Sequence, residues 1–189
     1  YRFRSANGFP DLTQGTLEIA SVERNQDQFF VLWRPVPDPL AKRTMTFRQV
    51  PDAFGFRGAE GIALHDSKAY FTTKHDNRVW SYDTDSQLLE IVYDIATSAN
   101  PILSGVDNVV IPPAGDVLVA EDGGNMQLVV LTPANKIIPI LQIMGQERSE
   151  ITGPAFDPSY RRLYFSSQRG TLGRSEGGIT YEISAQAAA

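Results

Sequence analysis

Cysteine is absent from the 189 residues, which excludes a disulfide framework, a thiolate metal site and a cysteine nucleophile within them. The absence leaves the cellular compartment open. Histidine is nearly absent too: His65 and His75 each follow an apolar run with no second ligand at metal-binding spacing, so both read as turn or surface residues. Missing as well is any apolar run long enough to span a bilayer, which excludes membrane insertion by a helix of this stretch. Basic charge is in deficit, 17 Lys and Arg against 22 Asp and Glu for a net charge of -5. That removes the clustered cations on which nucleic-acid binding depends, and nucleic acid is not an expected partner. No Gly-x-Ser-x-Gly elbow marks a serine hydrolase, and Gly170-Thr171-Leu172-Gly173-Arg174 lacks the strand-then-helix setting of a nucleotide-binding loop. The first residue is Tyr rather than Met and the last six read Ser-Ala-Gln-Ala-Ala-Ala, so a portion of a longer protein is expected.

What is present is enough apolar material for a core, 42% hydrophobic against 21% charged residues. Near the start, Gly15 to Val22 alternates in the manner of a strand, Phe29 to Trp33 makes a second strand, and Arg34-Pro35-Val36-Pro37-Asp38-Pro39 reads as a linker. A short helix is expected around Phe47 to Phe54. From Gly58 onward the chain repeats itself. Glu60 to Leu64, Ala69 to Thr73, Arg78 to Asp83 and Leu88 to Tyr93 form one set of four strands. Asp107 to Ile111, Val117 to Ala120, Gln127 to Leu131 and Lys136 to Ile143 form a second, and Gly153 to Phe156, Arg162 to Ser167 and Gly178 to Ile183 a third.

Equivalent positions Gly61, Asn108 and Gly153 stand 47 (108 - 61) and 45 (153 - 108) residues apart. Four strands recurring at about 40 to 50 residues, with no long helix, predict an all-β fold: a β-propeller with four-stranded blades. About three blades plus part of another are represented in one domain spanning residues 1 to 189. Because a closed ring takes about 4 to 8 blades, that domain is expected to be incomplete here.

The repeat also sets the candidate site. Thr73, Glu121 and Ser167 fall together at the ends of the second strands, and Lys74, Asp122 and Gln168 one residue later. Across the turn Pro112 to Asp116, antiparallel pairing brings Asp107 to the same hairpin end as Glu121 and Asp122. Carboxylates gathered at one edge repel unless a cation or protons compensate, and a hard cation such as calcium suits an all-oxygen set.

In order and spacing these motifs resemble those of the PhoX-type alkaline phosphatases. Gly15-Thr16-Leu17-Glu18-Ile19-Ala20 with Leu32-Trp33 resembles that family's opening segment, and Arg57-Gly58-Ala59-Glu60-Gly61 stands at its Arg-Pro-Glu motif. Gly105-Val106-Asp107-Asn108 stands at its Gly-Pro-Asp-Asn motif, with Glu121-Asp122 at the acidic pair that follows. Ser149-Glu150-Ile151-Thr152-Gly153-Pro154-Ala155-Phe156 with Leu163 to Gln168 resembles the last shared segment. The resemblance implies a secreted or periplasmic metal-dependent phosphomonoester hydrolase, using calcium and iron, with a small-molecule phosphate ester as substrate. By position it implies Glu60, Asp107, Glu121, Asp122 and Glu150 as metal ligands and Arg57 as the group that grips phosphate. Two departures are visible. Gly58 and Ala59 replace the motif's arginine and proline, with Arg57 one position early, and the cysteine of the family's iron site is not in this chain. A non-catalytic calcium-binding propeller is the alternative, and a lactonase-type propeller would need Glu60, Asn108 and Asp122 around one ion.

Overall fold

The computed structural model describes residues 1 to 184. Among the described residues all regular structure is β apart from two single 3-10 turns at Thr46–Arg48 and Ser175–Gly177. None of the described helices is long and apolar enough to cross a membrane. The chain divides into two compact units, Tyr1–Phe56 with Asp85–Glu90, and Arg57–Thr84 with Ile91 onward.

In the first unit the strands β1 (Arg2–Ser5), β2 (Gly15–Asn25) and β3 (Gln28–Pro35) pair antiparallel in that order. The start of β7 (Leu88–Asp94) pairs with β3 through Leu88 and Leu89. The β2–β3 hairpin closes at the pair Asn25 and Gln28, with Gln26 at φ 54, the left-handed conformation such a short turn demands. Ile19, Val36 and Val50 form its small core. Glu18 is buried there with two cationic partners, its oxygens 2.7 Å from the guanidinium of Arg2 and 3.3 Å from that of Arg4. The helix expected around Phe47 to Phe54 does not form; only the turn Thr46–Arg48 does. Phe47 and Phe54 remain exposed, so a helix there has no apolar face to bury, and Pro51 lacks the N–H that its interior needs.

The second unit holds three antiparallel sheets. The first is β4 (Ala59–His65), β5 (Lys68–Thr73), β6 (Arg78–Asp83) and the end of β7. The second is β8 (Val106–Val110), β9 (Val117–Glu121), β10 (Gln127–Leu131) and β11 (Ile137–Gln142). The third has β12 (Ile151–Phe156), β13 (Arg162–Ser167) and β14 (Ile179–Ser184) among the described residues. The first two strands of each pair alike, with Ala59 opposite Thr73, Val106 opposite Glu121 and Ile151 opposite Ser167, and the register slips a residue or two farther in each time. The three sheets thus repeat one another in space as they do in sequence.

Strand β9 is buried along its whole length. Val117 and Val119 enter one core with Val79, Tyr93, Val109 and Val129, while Leu118 and Ala120 enter another with Leu128, Ile151 and Phe165. A strand covered on both faces reads as a continuous apolar run, which is why Val-Leu-Val-Ala shows no alternation. Leu118 and Leu128, both fully buried, each contribute about 1.5 to 3 kcal/mol on transfer from water. The opening strands of successive sheets lie side by side. A Cβ at Gly61 on β4 would stand 2.5 Å from the carbonyl oxygen of Asp107 and 2.8 Å from the Cα of Asn108 on β8, so only glycine permits this approach. Asn108 in turn spans to β12, its Oδ1 accepting from the Gly153 N–H at 2.6 Å and the Thr152 hydroxyl at 3.1 Å. The arrangement is all-β and propeller-like.

Candidate metal centre

The site is built at one repeated place, just beyond the ends of strands β5, β9 and β13. There the next backbone N–H bonds the chain that leads into the neighbouring first strand: Lys74 to Gly58 O at 2.8 Å, Asp122 to Gly105 O at 2.7 Å and Gln168 to Glu150 O at 3.0 Å. Lys74, Asp122 and Gln168 are therefore structural equivalents, as are Gly58, Gly105 and Glu150. Gly105 has φ +60, and a Cβ on it would meet Asp122 O at 2.5 Å, so this junction requires glycine.

Asp107, Asp122 and Glu150 each offer a carboxylate oxygen within 4.8 Å of the other two, and all three side chains are largely but not fully buried. Asp107 lies in β8, with one oxygen accepting from Asn108 Nδ2 at 2.7 Å and its main-chain oxygen accepting from the Thr72 hydroxyl at 2.5 Å. Asp122 comes from the turn after β9, and Glu150 immediately precedes β12. Two cations complete the group. The Lys74 ammonium bonds Asp122 Oδ2 and lies 3.7 Å from Asp107 Oδ2. The Arg169 guanidinium sits 3.3 Å from Asp122 Oδ1 and 3.3 Å from Glu150 Oε2 through a single nitrogen, Nη2. Its other two nitrogens are anchored as well: Nε bonds Arg148 O at 3.0 Å and Nη1 bonds Gln168 Oε1 at 2.8 Å. The Arg169 backbone N–H bonds Ser149 Oγ at 2.8 Å, which orients the whole residue. Three formal negative charges face two positive ones and leave one in excess.

Of the residues singled out in the sequence, Asp107, Asp122 and Glu150 come together and three others do not join them. Glu121 is fully buried, with Oε1 accepting from the Ser104 N–H at 2.8 Å and Oε2 from the Gln127 N–H at 2.9 Å. Both oxygens are committed to backbone donors inside the core, so Glu121 ties the loops before β8 and β10 together instead of facing the rim. Burial pushes its carboxyl up from the ordinary glutamate range, and the two N–H bonds pull the other way without overcoming it. Glu60 is exposed on β4 and falls outside the cluster of carboxylates close enough to share an ion among the described residues. Arg57 is exposed too, and the guanidinium that reaches the carboxylates is that of Arg169. The equivalent ends Thr73 and Ser167 also serve as internal ties, Thr73 accepting from Trp80 Nε1 at 2.9 Å and Ser167 donating to Ser149 at 2.7 Å. Lys74 and Arg169 are members that the family motifs did not single out as site residues. The signal for Lys74 was its register with Asp122, and for Arg169 its place directly after Gln168 in that same register.

The donor set fits a hard cation. Two oxygens on one calcium ion of ordinary bond length lie within about 5 Å of each other, and these three already satisfy that spacing. The Lys74 ammonium, held between Asp122 and Asp107, is a stand-in for positive charge at that place. An iron site drawing on a thiolate does not fit these residues, because the chain has no cysteine and the cluster is entirely carboxylate.

No family model and no curated protein matches the chain. Among solved structures it is similar to a luciferin-regenerating enzyme at 14% identity and a TM-score of 0.53, over 84% of this chain and 51% of that one. It is also similar to a Bacteroides thetaiotaomicron protein of unknown function, at 19% identity and a TM-score of 0.49 over 60% of this chain and 28% of that one. A third is the extracellular domain of a B. thetaiotaomicron putative one-component system, at 12% identity and a TM-score of 0.48 over 85% of this chain and 21% of that one. The chain therefore spans about half or less of each of these relatives, and the first of them supports a propeller-like fold.

Proposed function

We propose that the rim formed by Asp107, Asp122 and Glu150 binds a divalent cation of the calcium class, and that the chain is part of a metal-dependent phosphomonoester hydrolase. The observation that carries this reading is the convergence of three carboxylates from separate loops with Lys74 and Arg169 beside them. The resemblance in motif order to the PhoX-type phosphatases supports the reaction class. A bound cation would neutralise phosphoryl oxygens and make a nearby water more acidic. The protein's own residues do the rest. Arg169, fixed by Ser149, Arg148 and Gln168, presents Nη2 toward the site, where an N–H donor can hold a phosphate oxygen. Lys74 offers a second, mobile donor. Arg169 takes the role that the motif assigned to Arg57. Iron, if used, requires ligands outside these residues. The blade reading belongs here as well: three blades with part of a fourth, completed elsewhere in a longer, exported protein.

Full-length protein incubated with p-nitrophenyl phosphate is expected to turn it over in calcium and to stop in chelator. Asp122→Asn, which removes one ligand charge, should lower the calcium-dependent rate at least about tenfold, as loss of a group supporting the metal does. Absence of metal-dependent turnover from neutral to strongly alkaline pH would end the phosphatase reading. A second reading, a calcium-binding propeller without catalysis, draws on the pairing of Lys74 and Arg169 with the same carboxylates, which lets the rim serve as a clasp between sheets. Calcium then raises the melting temperature without hydrolysis. Against the lactonase-type set stands the Asn108 Oδ1, which already accepts from the Gly153 N–H and the Thr152 hydroxyl.

A further inference from the structure

We propose that Lys74 is the resident counter-ion of this rim, displaced when a divalent cation binds and thereby released to receive an anion. The inference rests on the cation reading above and adds an order of events to it: cation first, anion second. Every carboxylate of the cluster already faces a side-chain cation, so an incoming ion enters by exchange.

The two cations are not equally replaceable. Arg169 is anchored by its backbone N–H, its Nε and its Nη1 to Ser149, Arg148 and Gln168, none of them acidic, so it keeps its place when the carboxylates turn to a metal. Among the described residues the ammonium of Lys74 pairs only with Asp122 and Asp107, both members of the cluster. Its backbone is fixed by the bond to Gly58 O, but its four-carbon stem carries a strongly hydrated charge that moves readily once its partners are taken. Lys74 also lies on the sheet before that of Asp122, while Glu150 and Arg169 lie with the sheet after it. Withdrawal of Lys74 therefore opens the cluster from one side only and leaves Glu150 and Arg169 in register.

A purely structural clasp and a displaceable counter-ion predict opposite signs. If Lys74 only ties two sheets together, its removal loosens Asp107 and Asp122 and weakens calcium binding. If it competes with calcium, its removal strengthens binding. Calorimetric titration of calcium chloride into chelator-treated full-length protein should give Lys74→Met and Lys74→Gln each an affinity about two- to fivefold above wild type, the size of one surface-proximal charge pair lost as competitor. Equal or weaker binding by both variants, with wild type binding calcium, overturns the inference and leaves the cation reading standing. Absence of calcium binding to wild type and to both variants overturns both. A measurement on the wild type needs no variant to fold: acetylation of the Lys74 amine, followed by mass spectrometry, should speed up when calcium is added and slow again in chelator. An unchanged or slower rate in calcium counts against displacement. Inorganic phosphate should bind the calcium-loaded protein and not the chelated one; equal binding to the two contradicts the order.

Discussion

Glu121 shows how little a carboxylate's place in sequence says about its partners. It neighbours Asp122, yet one points into the core and the other to the rim, because β9 runs one residue past the last apolar position and carries Glu121 on the same face as Val117 and Val119. Unlike Glu18, which has two arginines, Glu121 has no salt-bridge partner among the described residues, and its charge rests on two backbone N–H groups. Burial raises its folded pKa above the unfolded value, so the folded state holds the proton more tightly. Its contribution to stability is therefore greatest below the unfolded pKa and declines as pH rises through the folded one. Glu121→Gln removes that dependence. Thermal melts in chelator between about pH 4 and about pH 7 should show the wild type losing stability relative to the variant as pH rises. A constant difference would contradict the shift.

At the scale of elements, the repeat was legible because it is written in turn residues and apolar runs. The ends of β6, β10 and β13 match the sequence reading residue for residue, and most other strands agree within two. The paired positions Ala59, Val106 and Ile151 reproduce the spacing of 47 and 45 found between Gly61, Asn108 and Gly153. Less legible were elements whose existence depends on distant partners. Strand β1 forms because Arg2 to Ser5 meet Glu18 to Gly15, and Arg2 and Arg4 meet the Glu18 carboxylate, none of which a local pattern announces. The expected helix at Phe47 to Phe54 failed for want of a surface to cover its aromatic face. In the site, the convergence of Asp107 with Asp122 follows from hairpin register, whereas Arg169 reaches it only through tertiary anchoring. The contact of β4 with β8 makes its own prediction. Gly61→Ala forces a methyl against the Asp107 carbonyl and the Asn108 backbone, and neither is a flexible side-chain end. It should cost about 1 to 3 kcal/mol by overpacking, read from chemical denaturation. A variant as stable as wild type would show that the two strands can part freely.

For the molecule as a whole, the propeller-like repetition explains why one rim can collect charged groups from residues as far apart as Lys74 and Arg169. Each sheet delivers its second-strand end to an equivalent position, so substitutions at one register, Lys, Asp or Gln, write the chemistry of the rim without disturbing the sheets. The fold supplies the convergence and the rim supplies the charge. The most direct measurement is a crystal structure of the full-length protein grown in calcium. The account predicts an ion bonded at about 2.3 to 2.6 Å to oxygens of Asp107, Asp122 and Glu150, with the Lys74 ammonium withdrawn. Lys74 and Arg169 still paired with those carboxylates at saturating calcium, with no ion among them, would contradict it.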